Sequence, residues 1–529
     1  MMPSHADHPA VDSPPDRARR VAGPLVSAVA AGLHAAVVLA ALAVPLSAFA
    51  SALWRDRLAL DAADTLVRWA PLLAGTVQVC GVALAVSIGG GLALGLLAAR
   101  TDLRGRLGLL ALAAFGAGMP VFAYAVFFFS LVASVHFADS AVACGVMYGL
   151  VFVPLSTLLL AALAAGLEPA LEEQALLDAG AAAVLRRVTL PRMAPGVTVC
   201  GLIVVVLVAT DVLIADVLMV PTFAREVYSQ YALRGARLGP LLTALPLLGA
   251  LLIVLALLRF HAARLHLSFV TARAARPFKL GRWRTPVSVL VWLIATLAAV
   301  GGLAPVLAQA ESPARFLESA GSMRGEFATS FGLAACGATA VVAFGPGLAW
   351  AALRARRGRT LLCGGLIVLL AMPAPVIGIA LIELLNRPGW TGELYDSPAI
   401  LVLGYVVRFL PLGAVLLLPA ILRTPTDLER AARIDGCDWL AVQRHVYWPA
   451  AFPDAAAAWL IVFVLCFGDV GATVLLAPPG WPTASVRAMT LIHFGVYQDL
   501  ATLTLLSLAA LLAPVAALCW LFRRMMRAG

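Results

Sequence analysis

The sequence predicts an all-α membrane protein, with about twelve transmembrane helices arranged as two homologous six-helix halves. Three observations carry that prediction. The chain is 62% hydrophobic and only 12% charged, with a mean hydropathy of +0.96. A soluble domain carries about 25% charge, so this much apolar side chain exceeds what an aqueous core absorbs and the solvent is lipid. The apolar residues come in runs of the roughly 20 residues that a bilayer-crossing helix needs. The runs lack a two-residue alternation, so their backbone groups are bonded within helices rather than in a closed barrel. Finally, landmarks of the first half recur in order in the second.

The apolar segments fall at 21–49, 71–99, 108–135, 141–166, 195–221 and 239–259, and again at 286–309, 327–353, 360–385, 398–421, 453–477 and 500–522. The first half is therefore 21–259 and the second 286–529, joined by a basic cytoplasmic linker, 260–285. Residues 1–20 are polar, with prolines and with Arg17, Arg19 and Arg20, and read as a disordered cytoplasmic tail. The apolar run after them is too long for a signal-peptide core, and no clear cleavage site follows it. Prolines inside the spans (Pro120, Pro154, Pro246, Pro373, Pro375, Pro411) imply kinks or breaks, read either as helix geometry or as path-lining interruptions.

Arginine sets the orientation. One set of alternate loops holds Arg100, Arg104 and Arg106; Arg186, Arg187 and Arg192; the linker cluster from Arg264 to Arg284; Arg354 to Arg359; and Arg423, Arg430, Arg433 and Arg444. The opposite loops hold fewer, and the rich side faces the cytoplasm. Both termini then lie inside, in a multi-pass membrane protein. The net charge of +10 is almost all arginine, Lys279 being the one lysine. Because the arginines sit between apolar segments, they read as orientation signals beside membrane lipid, and no nucleic-acid partner is expected.

The repeat is read from residues in register. Cys80-Gly81 and Cys336-Gly337 open matching helices, and Gly89, Gly91, Leu92 and Ala93 recur as Gly345, Gly347, Leu348 and Ala349. Ala175 matches Ala432, Pro191 matches Pro449, and Asp211 matches Asp469. The two halves have the same orientation and are related by an axis along the membrane normal.

One cytoplasmic stretch stands out in both halves. The first copy runs from Leu171-Glu172-Glu173-Gln174-Ala175 through Asp178-Ala179-Gly180 to Leu190-Pro191. The second runs from Leu428-Glu429-Arg430-Ala431-Ala432 through Asp435-Gly436 to Trp448-Pro449. Each reads as a short polar helix, a small-residue turn, a second helix and a proline. A loop that passes force to a partner needs a short rigid helix, acidic residues near its start where the helix dipole favours them, and a small residue where the chain reverses. Glu172, Glu173, Asp178 and Gly180 supply these in one copy, and Glu429, Asp435 and Gly436 in the other. A single copy reads equally well as a solvated linker; two copies in matching positions argue against that.

This pattern resembles the loop of Glu-Ala-Ala, three residues, Gly and a spacer ending in Leu-Pro in permease subunits of binding-protein-dependent ATP-binding-cassette importers. Arg430-Ala431-Ala432, Gly436 and Trp448-Pro449 match its spacing, with arginine at the first position and Glu429 just before. The first copy has Glu173-Gln174-Ala175 and Leu190-Pro191 and is one residue shorter, so that Ala179 or Gly180 takes the glycine's place. The stretches Tyr405-Val406-Val407-Arg408-Phe409-Leu410-Pro411, Pro478 to Thr483 and Thr222 to Tyr228 look like the fused two-half ferric-iron and thiamine type. The resemblance implies a type I importer permease-like fold, coupling helices at both loops and a non-enzymatic transport subunit without cofactors. It also implies two copies of an ATP-binding subunit and a periplasmic solute-binding protein delivering substrate to outer loops that include 478–499. Ferric iron is the first substrate expected and thiamine the second, with polyamine or phosphonate-type compounds open.

Asp211, Glu383, Arg408 and Asp469 lie in or near apolar spans, where ionisable groups are costly unless paired or hydrated. Asp211 and Asp469 either line a translocation path and attract a cation, pair with Arg408, or sit at helix ends near the headgroups. Arg408 is grouped with the two aspartates as a candidate for the translocation path, with a structural role as its first reading, and Glu383 reads as an interface residue. The eight cysteines form no close pair, and no cluster has metal-ligand spacing. A major-facilitator-type secondary transporter is the alternative, from the echo Asp102-Leu103-Arg104-Gly105-Arg106, but it leaves the repeated loops unexplained. A membrane enzyme needs clustered His, Cys or acidic groups that the sequence does not show. A phosphate-binding loop is also absent, since Lys279 is followed by Leu280 with no glycine at the required place.

Overall fold

The computed structural model describes residues 41, 43, 47, 62–124, 140–234, 238–262, 278–300, 306–307, 313–354 and 359–528. The tail 1–20, nearly all of the first expected span and linker residues 263–277 lie outside these. The described residues are all-helical apart from a single bridge between Thr101 and Phe278. Seven helices are long and apolar enough to cross a membrane, or eight if one sharply bent pair is a single span. They make a multi-pass membrane protein.

From the N-terminal side the helices are α1 (Ala62–Arg100), α2 (Arg106–Ala117), α3 (Ala141–Ala165), the nine-residue α4 (Ala170–Asp178), α5 (Ala181–Thr210), α6 (Leu213–Val217), α7 (Phe223–Arg234) and α8 (Leu238–Ala262). Next come α9 (Arg284–Val300) and α10 (Pro313–Ser322). Then α11 (Arg324–Arg354), α12 (Arg359–Ala371), α13 (Ala374–Leu385) and α14 (Trp390–Tyr395) lead to α15 (Ala399–Arg423) and the nine-residue α16 (Thr426–Ile434). The chain ends with α17 (Trp439–Phe467), α18 (Thr473–Leu476), α19 (Ala484–Phe494) and α20 (Tyr497–Ala528). Among the described residues, the order α1, α2 and α3 to α8 recurs as α11, α12 and α15 to α20.

Among the described helices, the most extensive packing is of α1 on α3 and of α11 on α15. Small residues explain the approach, since helices in lipid associate by packing of small side chains rather than by a hydrophobic drive. A Cβ at Gly91 of α1 would come within 2.5 Å of Ser156 Cβ, and one at Gly149 of α3 within 2.6 Å of Val86 Cβ. In the second pair a Cβ at Gly413 would meet Val341 Cγ1 at 2.4 Å. Gly89, by contrast, faces open space.

The single continuous span expected over 360–385 is not formed. Helices α12 and α13 are bent by 109° at Met372-Pro373. Proline lacks an N–H and pushes the residue before it out of the helical region, so the helix ends there. Helix α2 likewise stops at Gly118, ahead of Met119-Pro120. The prolines at 120 and 373 thus mark breaks and not gentle kinks.

The end of the linker docks onto the loop after α1. Leu280 N donates to Asp102 Oδ1 at 2.9 Å, Arg284 Nε donates to the Asp102 carbonyl at 2.7 Å, and Trp292 Nε1 donates to the Arg104 carbonyl at 3.2 Å. Helix α9, which the sequence assigns to the second half, consequently packs on α2 and α3. Asp102, the acid of the major-facilitator echo, serves here as an anchor for the linker.

Candidate functional site

Both repeated loops are built on a buried glutamate. In the first, Glu172 of α4 is fully withdrawn from solvent, ion-paired to Arg100 at 2.8 Å and accepting a hydrogen bond from Thr189 Oγ1 at 2.7 Å. Arg100 is the last residue of α1 and also donates to the Leu167 carbonyl at 3.0 Å. In the second, Glu429 of α16 accepts from Tyr447 OH at 2.6 Å, Trp350 Nε1 at 3.2 Å and Arg433 Nη2 at 2.8 Å. The glutamate is thus common to both loops, and so is the hydroxyl that follows it. The third partner differs: a buried arginine in one loop, and a tryptophan with a surface arginine in the other.

Each hydroxyl is placed by a π turn, Leu185–Thr189 within α5 and Gln443–Tyr447 within α17. The cause is the proline that follows. Pro191 and Pro449 bring no N–H, and each ring crowds the carbonyl four residues back. The preceding helix widens so that Leu190 N bonds the Leu185 carbonyl and Trp448 N the Gln443 carbonyl. Such bulges recur at functional sites because they redirect a side chain without breaking the helix.

The turns differ. Gly436 has φ +83°, a conformation that glycine adopts freely and other residues at a cost. In the shorter first loop, Ala179 (φ −139°, ψ 151°) and Gly180 (φ −67°, ψ 155°) are both extended. The missing residue therefore replaces a left-handed turn by an extended step, and Gly180 is not required there for its freedom.

Sequence reasoning assigned Glu172 and Glu429 to the helix dipole of the coupling loops. In the structure their carboxylates point inward and hold the loop to the spans. What faces outward is a matched aliphatic pair. Leu177 is 86% exposed and its counterpart Ile434 84%, with Leu171 and Leu428 exposed beside them. Around them Glu173, Asp178, Gly180, Pro191, Ala431, Asp435, Gly436 and Pro449 are exposed, while Ala175 and Ala432 are half-buried. The exposed aliphatic pair and the buried donors Arg100, Thr189, Trp350 and Tyr447 were missed by sequence reasoning. Aligning the two copies pairs Leu177 with Ile434 and Thr189 with Tyr447, a signal that was present.

A second cluster lies where α5 and α17 end, a helix length from the loops. Asp211 follows directly on the end of α5, and Asp469 follows Gly468 at the end of α17, so neither lies inside its helix. Asp211 Oδ1 accepts from Tyr148 OH at 2.7 Å and from Leu213 N at 2.9 Å. Asp469 is ion-paired with Arg408, and its Oδ2 accepts from Thr473 N at 3.3 Å and Thr473 Oγ1 at 3.1 Å. Tyr405 OH shares a hydrogen bond with Thr473 Oγ1 at 3.2 Å. A Cβ at Gly471 would lie 2.9 Å from Ala374 Cβ, 3.6 Å from Val212 Cγ2 and 3.8 Å from Arg408 Nη1. The two loops after α5 and α17 therefore touch each other beside Arg408. A cavity opens next to it, lined by Val206, Thr210, Leu369, Met372, Arg408 and Phe409 among others. Of the readings open for these residues, pairing holds for Asp469 and Arg408, and both aspartates also cap the short helix that follows. Glu383, expected at the interface, is buried in α13.

Residues 343–528 match the family model described as binding-protein-dependent transport system inner membrane component. That region holds the second loop and both Arg408 and Asp469. Among curated proteins, the chain is 28% identical over 174 residues to a Fe(3+)-transport system permease protein of Haemophilus influenzae, covering 32% of this chain and 34% of that one. It is 34% identical over 87 residues to a protein of Salmonella paratyphi A named for a 2-aminoethylphosphonate transport system permease, covering 16% of this chain and 33% of that one. It is 29% identical over 113 residues to a trehalose transport system permease protein of Mycobacterium tuberculosis, covering 21% of this chain and 40% of that one. The matches span about a third of the length of the first two relatives. The chain is thus similar to permease components of binding-protein-dependent importers.

Proposed function

We propose that the chain is the transmembrane permease subunit of an ATP-driven importer, passing a small solute from a periplasmic binding protein to the cytoplasm. It is built as two homologous six-helix halves with twelve spans in the inner membrane, with both termini cytoplasmic. Two copies of an ATP-binding subunit engage α4 and α16, and ATP is hydrolysed there and not on this chain.

The observation that carries this reading is the pair of loop helices, each tied by a buried glutamate to two spans and each presenting an exposed aliphatic residue. Glu172 links α4 to the end of α1 and the start of α5. Glu429 links α16 to α11 and α17. A push on either loop helix therefore moves two spans together, and the outer ends of α5 and α17 meet at Asp211 and Asp469. Ferric iron is the first solute considered, supported by the relative named for Fe(3+) transport, and thiamine the second. Relatives named for other solutes keep the class broader. A major-facilitator-type transporter is not favoured, because it gives no role to two anchored loop helices.

The test is uptake of radiolabelled ferric iron and thiamine in a strain lacking the chain, with and without ATP depletion. Loss of one ATP-dependent uptake supports the importer and names its solute. Uptake that survives ATP depletion and collapses with the proton gradient overturns it. In the same strain, Leu177→Asp with Ile434→Asp is expected to abolish uptake at normal membrane expression.

A further inference from the structure

We propose that Arg408 recognises an anionic oxygen group on the passing solute, in the cavity between the two parts of the chain. The inference rests on the importer reading above and deepens it. A guanidinium offers five N–H donors. At Arg408 the Nη1 side meets Asp469, and the Phe409 ring lies 5.2 Å from Cζ. Its other donors have no hydrogen-bond partner among the described residues, and the side chain borders the cavity. The remaining lining is aliphatic or aromatic save for Thr210, whose hydroxyl is spent on the Val206 carbonyl at 2.7 Å. Arg408 is therefore the one charged side chain on the cavity wall among the described residues.

The chain contains its own control. Tyr148 and Pro154 of α3 align with Tyr405 and Pro411 of α15, which sets Val151 opposite Arg408. Asp211 accepts its hydrogen bonds from a tyrosine hydroxyl and a backbone N–H, while the charge of Arg408 acts on it from across the contact. The turn can thus satisfy its aspartate's hydrogen bonds without a guanidinium, and one side alone contributes the arginine. A bare cation is the wrong ligand for this wall. Both Asp469 oxygens already accept hydrogen bonds or an ion pair, and neither aspartate lines the cavity. A carboxylate, phosphonate or phosphate oxygen is the right one, because charge-assisted bonds to a guanidinium are strong and directional away from water. Such a group comes either on a free organic solute or on an anionic chelate of ferric iron.

The test is binding to the full chain in nanodiscs, with radiolabelled methylphosphonate and radiolabelled ferric citrate as probes. Arg408→Met strands the Asp469 carboxylate and risks misfolding, so the deciding variant is Arg408→Met with Asp469→Asn, which removes both charges. Losing a charged hydrogen-bond donor is expected to weaken probe binding about tenfold or more in that variant. Val151→Met serves as the control and is expected to bind as the unsubstituted chain does. Binding of methylphosphonate alone identifies a free oxyanion, and of ferric citrate alone a chelate. Unchanged binding in the double variant overturns the proposal and leaves Arg408 as the partner of Asp469, and so does absence of binding of either probe to the unsubstituted chain. The assay needs no ATPase, so a failure of the importer reading in uptake would leave this result standing.

Discussion

Arg100 and Glu172 face each other at 2.8 Å with 1% and 0% of their side chains exposed, joining the end of a span to the loop helix that follows the next one. Removing one member of such a pair leaves a buried uncompensated charge, which costs about 3–5 kcal/mol. Arg100→Met or Glu172→Gln alone is expected to lower the thermal stability of the purified protein markedly. The two together are expected to cost less than the sum of the singles, since no charge is then stranded. A strictly additive pair of stability losses would show that the contact carries no coupling.

Glu429 presents a different balance, because two of its three donors are neutral and Arg433 is half in solvent. Tyr447→Phe removes one hydrogen bond to a charged acceptor, worth about 1.5–3 kcal/mol. The expected outcome is a moderate fall in stability. Because the hydroxyl also ties α16 to α17, ATPase activity stimulated by substrate-loaded binding protein is expected to fall as well. Glu429→Arg, by contrast, places a second cation beside Arg433 in a buried site and is expected to abolish stable expression. Asp435→Arg lies on the exposed turn and is expected to express normally while losing ATPase association. Normal expression of both arginine variants in a membrane fraction would show that Glu429 is not an anchor.

The two turn glycines separate conformational need from space. Neither meets a neighbour where a Cβ would be built. Only Gly436 has a positive φ, at 83°. Forcing a non-glycine residue into the left-handed region costs about 1–2 kcal/mol. Gly436→Ala is therefore expected to destabilise by about that much, whereas Gly180→Ala is expected to stay within about 0.5 kcal/mol, as surface changes do. Thermal unfolding of the two single variants checks this, and equal losses would contradict the turn geometry.

The long helices were legible in the sequence because lipid imposes long apolar runs and internal backbone bonding. The two loops were legible because each sits between such runs with a proline at its end. Helix ends were not legible near Asp211 and Asp469. Apolar residues continue past Thr210 and Phe467 into short helices, so hydropathy ran through the breaks. The direction of Glu172 and Glu429 was also hidden. A glutamate in a polar helix reads as solvated unless its partners are known, and Arg100, Trp350, Thr189 and Tyr447 come from other turns and helices. The packing of α9 on α2 and α3 depends on hydrogen bonds from Leu280, Arg284 and Trp292 that no periodicity encodes.

At the end of the bundle where α5 and α17 finish, Asp216 of α6 receives Arg225 Nε at 3.1 Å on one oxygen and His493 Nε2 of α19 at 3.2 Å on the other. The His493 Nδ1 lies 2.9 Å from the Met489 carbonyl. Both ring nitrogens thus face acceptors, and only the imidazolium carries a proton for each. The charged groups around the contact are Asp216 and Arg225. Nearby, burial and the Asp216 charge hold the Tyr228 phenol above its usual value, so that it stays neutral. The bridge links the two parts of the chain, so spin labels at Met219→Cys and Phe494→Cys in a cysteine-free chain are expected to report a narrow distance distribution. In His493→Gln the distribution is expected to broaden. An unchanged distribution in that variant would make the contact a passive one.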